Sequence, residues 1–376
     1  MTDRPFGPKV AHLMAPAPAG GAESVVLALA TATRQHCRGI ILNQGGDPDG
    51  EPLPLTTLLR AAGVPVDEIR CGRRRYLAES KQVAGLLAAH GVELVHTHGY
   101  HATVVGYLAA RRVGVPVVST VHGYLRRNLK ERLYNVIDRR LLRRFDAVIA
   151  VSQEIVGQLV ASGIDPQRVV MVQNGLDFPD QVPDAARARA LLEAAPAEKL
   201  VGWIGRLSPE KGADLFIRAL AEGNVPARAI VVGDGQELAS VRQLVESLKL
   251  EGRVTLAGFR PNAAELLPGF DVLALTSRTE GTPMVILEAV AARVPIVSFR
   301  VGGVPDLLSE DSAWLVAPGD TSAFGAALRA ALQDPAERRQ RAENARNTLR
   351  TRLGMKQWLD RVSAVYRLAA AGDPRH

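Results

Sequence analysis

The sequence predicts an α/β protein built from two doubly wound domains in tandem. Short apolar runs, many of them β-branched, alternate with amphipathic segments of helical length along the chain. The alternation is interrupted once, between residues 174 and 196, and then starts again. The length of 376 residues suits two domains of ordinary size. Strands that are apolar on both faces indicate parallel sheets covered by helices on either side.

In the first half of the chain, strands and helices are expected in turn. The apolar runs predict strands at residues 9–14, 38–43, 92–97, 116–121, 147–151 and 169–172. The segments between them predict helices at residues 22–34, 77–90, 101–113, 126–145 and 153–162. The glycine pair Gly20 and Gly21 then lies in the turn between the first strand and the first helix.

The second half repeats the pattern after a segment rich in Pro and Asp. Strands are predicted at residues 200–204, 228–232, 254–257, 272–276, 296–299 and 314–316, and helices at 212–222, 236–248, 262–267, 283–292 and 321–332. We therefore expect a first domain over residues 1–178, a linker over 179–196 and a second domain over 197–355. Ligands of doubly wound sheets bind at the carboxyl ends of the strands, so the expected site is a cleft between the domains.

Composition excludes several classes of protein. Hydrophobic residues make up 47% and charged residues 23%, which is typical of globular chains and excludes a disordered or fibrous one. The two cysteines, Cys37 and Cys71, cannot form a disulfide framework, and no Cys/His cluster has zinc-ligand spacing. No signal peptide or run of about 18 apolar residues is found, so a cytoplasmic location is expected.

The strongest chemical signal is the start of the helix predicted at residue 283. Thr282 fits an N-cap, and Pro283 fits the first helical position. The N–H groups of Met284 and Val285 then lack partners within the helix and point, with the positive end of the helix dipole, to an anion such as phosphate.

Two carboxylates flank this predicted phosphate site. Glu288 lies about 9 Å along the helix from its start, too far for the same phosphate but well placed for an attached ribose. Glu280 lies in the loop before the helix and is expected to face the cleft. The alternative is an ordinary capped helix with glutamates on its surface.

A second signal follows the first strand of the second domain. Gly205 allows a tight turn, and Arg206 and Lys211 are expected to lie exposed above the strand ends. Together their charges can neutralise a diphosphate without a metal ion. The alternative is two solvated charges on a loop.

Histidines mark the strand ends of the first domain. His98 and His122 each follow a predicted strand, so His122 is a candidate catalytic residue and His98 a candidate contact in the cleft; the alternative for both is a structural role. Asp47 and Asp49 form a DxD pair away from these elements, and we do not expect a metal site there.

At these residues the chain resembles the retaining glycosyltransferases of family 4, which have the GT-B fold. The matching segments span most of the chain: residues 20–23, 122–123, 172–177, 205–212, 232–235 and 301–303, and the two glutamates Glu280 and Glu288 with seven residues between them. The resemblance implies two Rossmann-like domains facing across a cleft, and a final helix, within residues 356–376, that packs back on the first domain.

The resemblance also implies roles for the candidate residues. Arg206 and Lys211 would hold the diphosphate of a UDP- or GDP-sugar, Glu288 the ribose, and Glu280 the transferred sugar. His122 would lie near that sugar. The remaining donor contacts would come from Gly20, Gly21, Thr282, Pro283, Met284 and Val285.

The function implied is transfer of a sugar to a glycan or lipid-linked acceptor with retention of configuration and without a cofactor. Two alternatives stay open: a nucleotide-sugar epimerase on the same fold, and a protein that binds a sugar nucleotide without turnover. The carboxylates and cations of the two motifs disfavour both the epimerase and the binding protein.

A basic segment suggests where the acceptor is met. Residues 126–144 carry a net charge of +6 on one predicted helix with an apolar face. The ordinary interpretation is a core-packed helix with a solvated basic face. The functional one is attraction to an anionic membrane surface, which would place the enzyme peripherally at the membrane. Nucleic acid is not expected, because no aromatic platform accompanies the charge.

Overall fold

The computed structural model describes residues 7–16, 21–45, 50–71, 75–123, 129–181 and 184–371, without the side chains of residues 129–133. The chain divides into two compact units. The first unit contains Met1–Asn174 and Lys356–His376, and the second contains Gly175–Met355. The segment expected to link two domains, residues 179–196, therefore falls within the second unit.

The first unit is a parallel sheet covered by helices. Its described residues form seven strands in the order β3-β2-β1-β4-β5-β6-β7. The strands are β1 (Val10–Met14), β2 (Cys37–Asn43), β3 (Val66–Arg70), β4 (Leu94–His98), β5 (Val117–Val121), β6 (Ala147–Ala150) and β7 (Val169–Met171). The helices are α1 (Gly21–Ala32), α2 (Pro54–Ala61), α3 (Tyr76–Ala89), α4 (Tyr100–Val113), α5 (Leu129–Leu142), α6 (Gln153–Ala161) and, from the end of the chain, α13 (Met355–Ala371).

The second unit repeats this architecture with a smaller sheet. The strand order in the described residues is β10-β9-β8-β11-β12-β13, and all pairs are parallel. The strands are β8 (Leu200–Ile204), β9 (Arg228–Val232), β10 (Val254–Gly258), β11 (Val272–Leu275), β12 (Ile296–Phe299) and β13 (Trp314–Val316). The helices are α7 (Ala185–Leu191), α8 (Ala213–Glu222), α9 (Leu238–Ser247), α10 (Met284–Ala291), α11 (Thr321–Gln333) and α12 (Pro335–Leu353). Short 3-10 helices lie at Pro166–Arg168, Pro209–Lys211 and Ala263–Gly269.

The predicted α/β class and the two doubly wound sheets are confirmed. Strands β8, β9, β12 and β13 begin and end at the predicted residues. Helix α2 and strand β3 were not predicted; β3 lies at the sheet edge, and three of its five residues are charged. Helix α12 was not predicted either, because its buried face combines two alanines and two leucines with the charged Arg346.

Each sheet has one point where the direction of winding reverses. In the first sheet this point lies between β1 and β4, and in the second between β8 and β11. Ligands of doubly wound folds bind beside the carboxyl ends of the strands at such points. The residues expected to contact ligands are therefore those that follow β1 and β4 in the first unit and those that follow β8 and β11 in the second. Within the part of the chain described here, no helix is long and apolar enough to cross a membrane.

Glycines allow helices to pack closely on the first sheet. Gly106 of α4 lies so near the strands that a Cβ there would meet Cγ2 of Thr97 and approach Cδ2 of Leu13 to 3.0 Å. Gly85 of α3 is also inside a helix, but it is exposed and a Cβ there would meet no atom within 4 Å.

These two glycines are expected to respond to alanine in opposite directions. Gly106→Ala should lower the free energy of unfolding by about 1–3 kcal/mol, because the added methyl overpacks the helix–sheet contact. Gly85→Ala should raise it by about 0.5–1 kcal/mol, because alanine favours the helix and has space. Urea unfolding of both variants measures this, and equal effects would contradict the close packing of α4.

Candidate active site

In the second unit, the loops that follow β8 and β11 are tied together by Thr276. Its Oγ1 donates a hydrogen bond to the carbonyl oxygen of Gly212 at 2.7 Å and accepts one from Nε1 of Trp203 at 3.1 Å. Gly212 has a φ of +66°, and a Cβ there would collide with the carbonyl oxygen of Thr276. Only glycine therefore permits this close approach, which fixes Lys211 beside the end of β11.

Lys211 and Glu280 form a direct ion pair. Nζ of Lys211 lies 2.7 Å from Oε1 and 2.9 Å from Oε2 of Glu280. The hydroxyl of Ser277 donates a further hydrogen bond to Oε1 of Glu280 at 2.6 Å. The Glu280 side chain is only 6% exposed, and that of Lys211 is 28% exposed. The two motifs singled out in the sequence thus meet at one edge of the second sheet.

Arg206 lies in the loop that follows β8 and is partly buried. Its side chain is 34% exposed, and Nη2 lies 3.4 Å from Oε1 of Glu210. Its Nε is buried and has no hydrogen-bond partner among the described residues. The expectation that Arg206 and Lys211 lie exposed is therefore wrong: each is half-buried beside a glutamate. A buried N–H without a partner is a donor available to a ligand.

The helix after β11 begins one residue later than predicted. Pro283 is the N-cap, Met284 is the first helical residue, and no side chain caps the helix. The prediction that Thr282 is the N-cap is wrong, because Pro283 has an extended backbone with ψ near 112°. The first-turn N–H groups, including those of Met284 and Val285, still lie at the positive end of α10.

Glu288 lies on α10 and is partly buried. Its carboxylate makes no hydrogen bond or ion pair with the described residues, and burial raises the pKa of this group above the usual range. A desolvated carboxylate without partners can accept hydrogen bonds from the hydroxyl groups of a ligand.

In the first unit, four histidines lie close together on neighbouring strands: His12 and His96 in the middle of β1 and β4, His98 at the end of β4, and His122 directly after β5. His12 of β1 is opposite His96 of β4, and His98 is opposite Thr120 of β5. Nδ1 of His12 lies 3.3 Å from Nε2 of His98, and Nδ1 of His98 lies 3.3 Å from Nε2 of His122. His96 is held separately, with Nδ1 at 2.8 Å from the hydroxyl oxygen of Tyr366 and Nε2 at 2.7 Å from Oγ1 of Thr120.

Burial keeps these imidazoles neutral. It lowers the pKa of His12 and of His122 to about 4, and lowers those of His96 and His98 well below the usual value. The sequence predicts His98 as a candidate contact in the cleft, but His98 is buried and both of its ring nitrogens face other histidines. His122 is partly exposed and is the ring of this row that can meet a ligand.

Three of these rings also have the arrangement of a possible metal site. Ligand nitrogens of His12, His96 and His98 lie within 4.8 Å of one another. Neutral imidazoles are common metal ligands. The two nitrogens of His96, however, are already occupied by Tyr366 and Thr120.

Other candidate residues lie partly outside the described residues. Gly21 begins α1, the first helix after β1 in the chain, whereas Gly20 lies outside the described residues, as do Asp47 and Asp49. In the basic segment predicted at residues 126–144, side chains are described from residue 134 onward. Among them Arg140, Arg143 and Arg144 are exposed, together with the apolar Val136 and Ile137. Attraction to an anionic membrane surface stays a prediction.

Several residues that support the site were not predicted from the sequence. Thr276 and Ser277 lie within the recognised motif, but nothing in their spacing indicates which groups they bond. His12 is a histidine inside an otherwise apolar strand, and this polar exception was the available signal. Tyr366 is distant in sequence from the strand it contacts, so no local pattern could indicate it.

Comparison with known proteins assigns the family. Residues 19–178 match the model "Glycosyltransferase Family 4", and residues 185–348 match "Glycosyl transferases group 1". The chain is 30% identical to a D-inositol 3-phosphate glycosyltransferase of Kineococcus radiotolerans, over 85% of this chain and 84% of that protein. The chain belongs to glycosyltransferase family 4.

Other relatives agree with this assignment. The N-acetyl-alpha-D-glucosaminyl L-malate synthase of Bacillus anthracis is 27% identical over 77% of this chain and 78% of that enzyme. The D-inositol 3-phosphate glycosyltransferase of Segniliparus rotundus is 30% identical over 69% of this chain, and the match covers 63% of that protein. Several other matched inositol enzymes are likewise covered over less than two thirds of their length.

Solved structures confirm the GT-B fold of this family 4 glycosyltransferase. The structure of Anabaena Alr3699/HepE in complex with UDP and glucose matches with a TM-score of 0.84 and 25% identity, covering 96% of this chain and 100% of that one. A sucrose-phosphate synthase from Thermosynechococcus elongatus matches with a TM-score of 0.80 at 22% identity, which supports the fold alone.

Glu288 is expected to lower the stability of the ligand-free protein at neutral pH. The pKa of Glu288 is raised in the folded protein, whereas in the unfolded chain it is about 4.3. The free energy of unfolding therefore falls as the pH rises from about 4.3 through the higher pKa of the folded protein. The Glu288→Gln variant lacks the ionisable group and so does not lose this stability. Its melting temperature should exceed that of the wild type at pH 7 but not at pH 4. The matched control is Glu246→Gln on the exposed side of α9. An equal shift at both pH values would contradict the burial effect.

Proposed function

We propose that this glycosyltransferase moves a sugar from a nucleoside-diphosphate sugar to a glycan or lipid-linked acceptor with retention of anomeric configuration. The observation that carries the proposal is the Lys211–Glu280 ion pair, which joins the loop after β8, where Arg206 lies, to the loop that leads from β11 into α10, where Glu288 lies. The UDP-glucose complex of HepE supports a uracil nucleotide as the first donor to test, with GDP-sugars as the alternative.

The chemistry required is stabilisation of a leaving diphosphate. Cleavage of the donor develops negative charge on the β-phosphate, and preorganised cations and N–H groups lower the barrier to that step. In the proposal, Arg206, Lys211 and the first turn of α10 supply these charges, and Gly21 at the start of α1 lies near the same phosphates. Glu288 holds the ribose, and His122 lies near the transferred sugar.

Donor binding would exchange the partners of the Lys211–Glu280 ion pair. When a phosphate takes the place of the carboxylate at Nζ of Lys211, Glu280 keeps the hydrogen bond from Ser277 and becomes free to accept bonds from sugar hydroxyls. The resting ion pair therefore holds both side chains close to the positions in which they act, which reduces the reorganisation needed on binding.

Two other functions remain as alternatives to sugar transfer. An epimerase would convert a sugar nucleotide with no second substrate, and a binding protein would leave it unchanged. Liquid chromatography that resolves sugar-nucleotide isomers, followed by mass spectrometry, separates the three when UDP-glucose is incubated with and without candidate acceptors. Transfer gives free UDP and a heavier acceptor, an epimerase gives an isomer of the donor or its elimination products, and a binding protein gives no change.

The diphosphate contacts are tested by removing each cation. Arg206→Ala and Lys211→Ala should each lower kcat/KM by about 10²–10³-fold, the effect of losing one preorganised charge. The control is Lys199→Ala, because Lys199 precedes β8 and so lies at the opposite end of the same strand from Arg206. Turnover at the wild-type level in both site variants would overturn the assignment.

The two glutamates should differ in what they bind. Glu288→Ala should weaken binding of free UDP by about tenfold, the effect of losing hydrogen bonds to ribose. Glu280→Ala should leave UDP binding within about twofold but reduce kcat strongly, because its partner is the sugar. Calorimetry with UDP and steady-state assays measure both. Equal losses of UDP affinity would contradict the division of roles.

A metal ion should not be required for transfer. Two cations and a helix N-terminus supply the positive charge that a metal would otherwise provide at the diphosphate. Activity in excess EDTA should therefore stay within about twofold of the untreated enzyme. Loss of activity in EDTA that magnesium restores would show that these groups alone are not sufficient.

A further inference from the structure

Three histidine rings form a row that leads from the interior of the first unit to its surface. The row runs from His12 through His98 to His122, with 3.3 Å between the facing nitrogens at both links. This distance lies at the long end of the hydrogen-bond range. His12 and His98 are 1% and 2% exposed, whereas His122 is partly exposed. Only the last ring of the row can contact a ligand, through its remaining nitrogen, Nδ1.

The protons in this row are not independent of one another. A neutral imidazole has one N–H donor and one bare acceptor nitrogen. Both links use Nδ1 of one ring and Nε2 of the next. With one proton on each ring, both hydrogen bonds form only if all three rings are protonated at Nδ1 or all three at Nε2. The nitrogen that carries the proton on His122 is therefore coupled to the one that carries it on His12.

We propose that His12 is a positioning residue that acts through His98 to set the tautomer of His122. In this way it determines whether the free Nδ1 of His122 donates or accepts a hydrogen bond at the ligand. The inference rests on the proposed function for the identity of that ligand, the hydroxyl groups of the transferred sugar. The low pKa values of the rings support it, because neutral rings are what the coupling requires.

The donor set favours a hydrogen-bonded row over a metal ion. A three-histidine metal site would need His96, but both of its nitrogens are already held by Tyr366 and Thr120. His98 in turn uses both nitrogens within the row. The proposed ligands are neutral, so the charge of a buried metal ion would not be balanced by them. His96 instead connects β4 to α13 through its hydrogen bond with Tyr366, beside the row.

Two substitutions at His12 separate its hydrogen bond from its volume. In His12→Asn, the side-chain amide lies near the position of Nδ1 and can either donate or accept. His12→Leu fills similar space without a polar atom. The matched control is His96→Leu, because His96 is equally buried and lies opposite His12 but takes no part in the row.

The direct measurement is nitrogen NMR of the ring nitrogens in protein labelled with ¹⁵N-histidine, with His122→Asn used to assign the His122 signals. His122 should be a single tautomer in the wild type and a mixture or the opposite tautomer in His12→Leu. His12→Asn should fall between the two, because its amide still pairs with Nε2 of His98 but can either donate or accept. His96→Leu should leave the tautomer unchanged. Persistence of the wild-type tautomer in His12→Leu, or an equal change in His96→Leu, would overturn the proposal.

Kinetics provide the second readout. His12→Leu should lower kcat about tenfold with the donor KM within twofold, and His12→Asn should recover part of the loss. The double variant His12→Leu/His122→Ala should be no less active than His122→Ala, because His12 acts through His122. Additive losses would contradict this. If His12→Leu does not fold, His12→Gln replaces it, since its amide reaches toward the Nε2 position instead.

The two kinds of failure can be told apart. The NMR experiment needs no substrate, so it decides the coupling of His12 to His122 even if no sugar transfer is found. Absence of transfer with every donor would count against the proposed function alone. Transfer by the wild type with no tautomer change in His12→Leu would count against the inference alone.

Discussion

Close backbone contact between loops at the carboxyl edge of the second sheet is the constraint on which the candidate donor site depends. Thr276 joins the loop after β8 to the end of β11, and Gly212 makes that contact sterically possible. Gly302 has the same role beside Glu280, because a Cβ there would collide with the carbonyl oxygen of Glu280. These contacts keep a lysine and a glutamate, which are distant in sequence, within hydrogen-bonding distance.

The same edge shows how a polar site is maintained in a mostly apolar sheet. Lys211 and Glu280 neutralise each other, and Ser277 supplies a further hydrogen bond, so neither charge is left unpaired without ligand. Glu288 has no such partner, and burial raises its pKa. A side chain of this kind is tolerated at a cost in stability, which is typical of groups retained for binding.

The sequence allowed the fold and the main motif residues to be predicted, because they depend on local patterns. Apolar runs located β8, β9, β12 and β13 to the residue, since buried parallel strands have few polar positions. The edge strand β3 and helix α12, whose buried face includes the charged Arg346, lacked that pattern and were missed. The pairing of Lys211 with Glu280 and the row from His12 to His122 arise from strand order, which one sequence without relatives does not reveal. The N-cap of α10 was misplaced by one residue because cap preferences cannot show the extended backbone at Pro283.

Hydrogen–deuterium exchange with and without nucleoside diphosphate tests the central claim most directly, because it reports where the donor binds in the intact chain. Saturating UDP or GDP should slow exchange of amides in residues 205–212 and 277–288. Amides near Lys199 and Arg228, at the opposite edge of the same sheet, should not change. Protection confined to other segments, or none with either nucleotide, would contradict a donor site at the carboxyl ends of β8 and β11.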